Sequence, residues 1–289
     1  MMTQPIRPML AVPMSKANIT DWRDWSIEVK YDGVRLIVDV GRSTVTAWTR
    51  PRGSSKEMAV RPLPAHLVKD LLCFPQGVYD GELIAGTTST DVTRLDLEHE
   101  RRFVMFDVLN LLGEERTREL PYCQRRARLM ELFDGVTSLG HVDLAVSQQL
   151  TCKSDVTRFV KAVWDDDGEG AILKRNAARY QAGKRSPDYI KVKKESHVTM
   201  TIVGFQSTKG IVLDRGRFAI VVLEDTDGNR TTVKTKDDFE LNKFEQQSVT
   251  VQDDPTQHPA LGRKLVVEYQ DRTRDGGYRH PRWDRWEDE

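Results

Sequence analysis

The run Lys30-Tyr31-Asp32-Gly33-Val34-Arg35 lies between two apolar stretches, Ile27-Glu28-Val29 and Leu36-Ile37-Val38. A lysine that leaves a strand into a glycine turn suits attack on phosphorus. The strand fixes its backbone, and glycine permits a close turn. Asp32 can help hold a metal or a sugar, and the planar fork of Arg35 can hold a phosphate. A surface hairpin in which Asp and Gly merely make a turn has the same local pattern.

Four further segments carry similar chemistry. Asp80-Gly81-Glu82-Leu83 follows Val78-Tyr79 and sets a carboxylate near a strand end. There it can take a ribose hydroxyl or magnesium, or stand solvated in a turn. In Phe103-Val104-Met105-Phe106-Asp107-Val108-Leu109, Phe106 can stack on a purine or simply fill a core. Glu169-Gly170-Ala171-Ile172-Leu173-Lys174 has a carboxylate at the mouth of a strand and a lysine at its far end. In Asp188-Tyr189-Ile190-Lys191-Val192-Lys193, both lysines project from one strand face. Like charges so placed repel unless an anion such as phosphate lies between them, and edge protection is the other use for such lysines.

Elements must hold these groups. Strands are expected around residue 29, over 36–40, 45–48, 77–84, 102–109 and 171–173, and helices over 62–72, 121–132 and 156–165. The first helix would bury Leu63, Leu67 and Leu71; the second would bury Ala127, Leu129 and Leu132. From about residue 197 the pattern changes to short strands over 199–205, 217–223, 231–235 and 264–270 with polar turns such as Asp225-Thr226-Asp227-Gly228-Asn229. That pattern suggests a small barrel or sandwich. The expected domains are 1–196 and 197–289.

The chain has 289 residues with 44 basic and 44 acidic side chains, so net charge lends nucleic-acid binding no support and local placement must carry it. Cys73, Cys123 and Cys152 are scattered and odd in number, which implies a reducing, cytoplasmic compartment. No run is long enough to span a membrane, and residues 1–14 lack a signal peptide's apolar stretch.

Together, in this order, these segments resemble the covalent nucleotidyltransferases, specifically the ATP-dependent DNA ligases, in a small two-domain form similar to that of short-tailed phages. The matching positions are Lys30 to Arg35, Arg50, Glu82, Phe106, Glu169 and Lys191 with Lys193. Glu28 resembles the family's adenine-contacting position, and Arg7-Pro8-Met9-Leu10-Ala11 its entry segment. Tyr278-Arg279-His280-Pro281-Arg282-Trp283 resembles its final motif, although a usual second arginine is replaced by Glu287 with Arg285 offset. The resemblance implies an α+β fold: an adenylation domain of antiparallel sheets and flanking helices, then an OB-fold barrel.

It further implies that Lys30, its pKa lowered by magnesium, Lys191 and Lys193, attacks the α-phosphorus of ATP and becomes AMP-lysine. AMP then passes to the 5′-phosphate of a nick, and the 3′-hydroxyl displaces it. Asp32, Arg35, Lys191 and Lys193 would join Lys30 in catalysis. Glu28, Arg35, Arg50, Glu82, Phe106, Glu169, Lys174, Lys191, Lys193 and Arg279 would bind the nucleotide, and Asp32, Glu82 and Glu169 the Mg2+. The barrel would turn about residues 194–197. A monomer would bind nicked duplex DNA through Lys174-Arg175, Lys184-Arg185 and residues 191–194; the barrel segment 209–217 is either a further contact or a plain strand connection. An RNA ligase or mRNA guanylyltransferase of the same superfamily, or a non-catalytic nucleic-acid-binding protein, are the competing readings.

Overall fold

Period-two burial in the first two-thirds of the chain builds two facing sheets. The computed structural model describes residues 5–51, 57–114, 116–136, 140–206, 220–234, 260–272 and 276–287. The chain divides into two compact units, Met1–Lys193 and Lys194–Glu289.

The strands of the first unit are β1 (Leu10–Pro13), β2 (Trp25–Lys30), β3 (Val34–Val40), β4 (Val45–Thr49), β5 (Ala59–Val60), β6 (Gly77–Ile84), β7 (Arg102–Leu111), β8 (Val142–Leu144), β9 (Ser147–Gln149), β10 (Gly170–Arg175) and β11 (Arg185–Lys193). Its helices are α1 (Ala65–Leu71), α2 (Tyr122–Asp134) and α3 (Lys153–Asp165). One sheet has the order β1-β11-β10-β2-β9 and the other β5-β4-β3-β6-β7-β8. Both are mainly antiparallel, but β1 pairs with β11, and β7 with β8, in parallel. The sheets are therefore mixed rather than purely antiparallel.

Three apolar clusters fix this arrangement. Leu67 and Leu71 of α1 and Leu129 of α2 pack on Leu36, Val38, Tyr79, Leu83 and Met105. Val156 and Val160 of α3 cover Ile27, Ala171, Leu173 and Ile190 of the first sheet. Met9, Ile37, Val78, Leu109, Tyr180 and Tyr189 form a cluster joining residues of both sheets.

Two helix expectations need correction. The first helix begins at Ala65 with Pro64 extended as its N-cap, because the residue before a proline is pushed out of the helical region, so Leu63 packs on the core from outside the helix. In α2, Ala127 is exposed, while Leu129 and Leu132 pack inward as expected and Tyr122 and Arg125 join them.

The second unit holds β12 (Ser196–Gln206), β13 (Ile220–Glu224), β14 (Arg230–Lys234), β15 (Lys264–Tyr269), β16 (Asp271–Arg272), β17 (Tyr278–Arg279) and β18 (Arg282–Trp286). Its main sheet runs β14-β13-β12-β15-β18, with antiparallel neighbours throughout. Met200, Val221, Leu223, Leu265, Val267, Trp283 and Trp286 fill its separate core. This curled sheet fits an OB-like domain. Of the expected strands, residues 217–219 and 235 lie outside the described residues.

Candidate active site

β10 lies between β2 and β11, and the register sets the chemistry in rows. Lys30, Gly170 and Lys193 form one row, Glu28, Ile172 and Lys191 the next, and Ser26, Lys174 and Tyr189 a third. The intervening residues Ile27, Ala171, Leu173 and Ile190 point into the core under α3. Alternation thus sends Lys30, Glu28, Lys174, Lys191 and Lys193 to the other face.

At the mouth of this face, Glu169 is gripped from both sides. Its Oε2 accepts from Lys30 Nζ at 2.5 Å, and its Oε1 pairs with Lys193 Nζ at 2.5 Å. Burial alone would raise this carboxyl, but the charges of Lys30 and Lys193 outweigh it and hold the group below its ordinary value. The nearest partner of Lys30 is therefore an anion, not the cations expected to activate it. The position depends on Gly170. Its φ is +144°, and a Cβ there would lie 2.1 Å from the Val192 carbonyl oxygen, so no other residue fits without displacing β11.

The second sheet brings its own groups to the same turn. A Cβ on Gly33 would lie 2.2 Å from the Leu83 carbonyl oxygen, which shows how closely the lysine turn rides on β6. Cross-strand from Arg35 stands Glu82. Burial pushes the Glu82 carboxyl up to about 7, with Lys30 and Arg35 opposing and Glu169 reinforcing the rise. Arg35 turns its fork inward. Nε and Nη2 bind the two oxygens of buried Asp80 at 2.9 and 2.6 Å, and Nη1 donates to the Met9 carbonyl at 2.8 Å. Three of its five N–H groups are thereby engaged within the protein. Tyr180 donates to Asp80 at 2.6 Å and accepts from the Met9 amide, tying the entry segment to the same carboxylate.

Phe106 sits where the β6–β7 register slips between Asp80 and Gly81, and such a bulge re-aims the side chain beside it. Its half-buried ring takes the Arg35 guanidinium at 5.2 Å and the Lys174 ammonium at 4.7 Å. Below it, Lys174 and Glu28, each 2% exposed, form an ion pair at 2.6 Å. Tyr122 donates to Glu28, and Lys174 Nζ also reaches the Phe106 carbonyl at 3.1 Å. Lys174 therefore cannot belong to a surface patch for DNA; of that pair only Arg175 is exposed. Deeper still, Arg125 binds both oxygens of Asp107 at 2.7 and 2.9 Å, and Tyr189 donates to the same carboxylate.

Lys191 is half-buried on the active face, and Asp32 half-buried in the turn after Lys30. Arg50 stands exposed just past β4. Among the described residues no three His, Cys, Asp or Glu gather to hold a metal ion, so Asp32, Glu82 and Glu169 do not form a ready-made cage. Arg279 belongs to β17 in the second unit. Segment 209–217 lies outside the described residues.

The sequence reading missed Asp80, Tyr122, Tyr180 and Arg125 as supports. Ile172 was missed too, although its register between Glu28 and Lys191 marks it as the apolar residue of the active face.

Residues 8–193 match the ATP dependent DNA ligase domain family. The DNA ligase of Methanosphaera stadtmanae is 27% identical over 66% of this chain and 36% of its own length. The bifunctional non-homologous end joining protein LigD of Bacillus subtilis is 27% identical over 65% of this chain and 34% of its own. The chain thus spans about a third of the curated relatives it matches. A solved Lig E DNA ligase superposes with a TM-score of 0.73 at 18% identity, covering 97% of this chain and 98% of that one. The ligase domain of LigD from M. tuberculosis gives 0.52 at 21% identity, covering 97% and 94%. Both likenesses are of fold.

Proposed function

The chain belongs to the ATP-dependent DNA ligase family, and we propose that it seals nicks in duplex DNA, with a 3′-hydroxyl on one side and a 5′-phosphate on the other, through AMP carried on Lys30. The observation that carries this reading is the placement of Lys30 on one sheet face beside Glu169, Lys193 and Lys191, with Glu82 presented from the other sheet.

Lys30 needs a lone pair, and its ammonium proton already points at Glu169. That carboxylate is the acceptor at hand. As Lys30 Nζ bonds to the α-phosphorus of ATP, the bond from that phosphorus to the bridging oxygen breaks, and pyrophosphate leaves with the electron pair. Lys193, released from Glu169, and Lys191 stand where the charge on the phosphoryl oxygens grows. The purine has an aromatic face in Phe106, an apolar neighbour in Ile172 and a buried carboxylate in Glu28. AMP then moves to the 5′-phosphate, and the 3′-hydroxyl displaces it. Exposed Arg50, Arg175, Lys184, Arg185 and Lys194 supply phosphate contacts on the duplex.

Glu82 and Glu169 fit Mg2+, an ion usually held by one or two carboxylates and the substrate's phosphates rather than by a protein cage. When bound, it would offset charge on the nucleotide phosphates and on these two carboxylates. Arg279, on the second unit, is read as a contact to the leaving pyrophosphate. The enzyme is further proposed to act as a monomer, and its scattered cysteines are in keeping with a cytoplasmic setting.

The test is incubation with α-labelled ATP or GTP and magnesium, wild type against Lys30→Ala. Label from ATP that survives denaturation and is absent in the variant is the expected outcome. Label from GTP would move the assignment to a capping enzyme, and a preference for nicked RNA would move it to an RNA ligase. No label on folded protein would sink the catalytic reading.

A further inference from the structure

Arg279 is carried by a short two-stranded arm, and polar contacts from both of its strands meet at one carboxylate. β16 pairs with β17, with Arg272 opposite Tyr278 and Asp271 opposite Arg279. Tyr278 is buried and Arg279 half-buried, as alternation along a strand requires. That carboxylate is Asp225, at the turn between β13 and β14, whose side chain is 2% exposed. Its Oδ1 accepts from the amides of Asp227 and Asn229 at 2.9 and 2.8 Å, which shapes the turn. Its Oδ2 faces the arm, accepting from the Tyr278 hydroxyl at 2.5 Å and from Arg272 Nη2 at 3.3 Å. The two strands of the arm thus converge on one oxygen. The Arg272 guanidinium also lies 3.8 Å from the centre of the Tyr278 ring, and its Nη1 closes the arm onto the Gly276 carbonyl at 2.8 Å.

Just beyond Arg279, His280 has a φ of 51°, a left-handed conformation that a histidine keeps only where its surroundings over-determine it. Burial would raise the Asp225 carboxyl, but the donors from Tyr278 and Asn229 outweigh it and hold the group well below the ordinary carboxylate range. Asp225 is therefore charged across the working pH range and does not titrate there.

We propose that Asp225, acting through Tyr278 and Arg272, is a positioning residue for lysine adenylation: it fixes the arm so that Arg279 is presented ready for the nucleotide's phosphates. This rests on the reading of Arg279 as a pyrophosphate contact. A pin of this kind serves the step that expels pyrophosphate and has no part in the step where the 3′-hydroxyl displaces AMP, since no pyrophosphate is then present.

The experiment uses the full chain and the variants Tyr278→Phe, Asp225→Asn, Arg279→Ala and the double variant Tyr278→Phe/Arg279→Ala. Tyr278→Phe keeps the ring under Arg272 and removes only the hydroxyl, and Asp225→Asn is the second route to the same loss if either variant folds poorly in a thermal melt. Two rates are read: label transfer from α-labelled ATP to the protein across ATP concentrations, and sealing of a nick that already carries AMP on its 5′-phosphate. The expected result for Tyr278→Phe is adenylation slowed about tenfold at saturating ATP, the scale of a small misplacement, with sealing of the pre-adenylated nick unchanged. The double variant should be no slower than Arg279→Ala alone, because the hydroxyl acts through that arginine. Equal loss in both steps, or additive losses in the double variant, would overturn the proposal. Normal adenylation by Tyr278→Phe beside slow adenylation by Arg279→Ala would overturn the pin alone. Normal adenylation by Arg279→Ala would remove the reading of Arg279 and the pin with it.

Discussion

One carboxylate between two ammonium groups is a different resting state from a lysine surrounded by cations. Glu169 holds Lys30 and Lys193 together, so the proposed nucleophile sits in an ion pair that it would have to exchange for phosphate. Glu82, from the other sheet, feels the charges of both Lys30 and Glu169. Its carboxyl rises from 4.5 to about 7, chiefly by burial. The folded state therefore binds this proton more tightly than the unfolded chain does. Stability from this group is complete below pH 4.5, falls as pH rises toward about 7, and is flat above that. The shift is worth roughly 3 kcal/mol at most. Glu82→Gln should remove this slope, so urea unfolding at pH 5 and pH 8 should show a wild-type loss that the variant lacks. Equal slopes in the two proteins would show that Glu82 is not the titrating group.

At the scale of elements, the strands carry the precision. Gly170 sets Glu169 at the head of β10, and a side chain there collides with backbone, not with a movable side chain. Gly170→Ala should push Glu169 out of line with Lys30 and cut adenylation by on the order of a hundredfold. Label-transfer rates on the folded variant would check this, and a near-normal rate would contradict it. The apolar strands β3, β6 and β7 were readable because their buried runs are nearly continuous. Helix α3 was readable from its buried Val156 and Val160, though it starts three residues before the expected residue 156. The inward face of α2 was readable only in part: Leu129 and Leu132 pack inward as expected, but Tyr122 and Arg125 share that face, and their burial depends on partners far away in sequence. Lys174 misled in the same way: hydropathy reads a lysine as surface, and only Glu28, Phe106 and Tyr122 make its burial possible. That Lys30, Glu169 and the paired lysines belong to one constellation was legible because each segment has a fixed local spacing, and the register of β2, β10 and β11 brings them together. Asp80 was visible as a motif member but not as the support of Arg35, since that role exists only once β3 and β6 pair.

At the scale of the whole molecule, equal numbers of acidic and basic residues leave no general field to draw in a polyanion. On the proposed reading, duplex binding rests on individual exposed cations such as Arg175, Lys184, Arg185 and Lys194. Nick binding should weaken steeply with salt, log affinity falling by about 0.9 per phosphate contact for each unit of log salt. Self-adenylation, which involves a small nucleotide and a half-buried site, should respond far less. Titrating sealing and label transfer side by side from low to physiological salt would separate the two; parallel decline would place the salt effect in the nucleotide site instead.

The site strand β11 ends at Lys193, and after Lys194 and Glu195 the first strand of the second unit begins at Ser196. Anyone building chimeric ligases by exchanging the second unit therefore has a splice window only two residues wide. A junction placed one residue earlier puts the other chain's residue in place of Lys193 in the grip on Glu169, and a junction placed beyond it cuts into the pairing of β12 with β15.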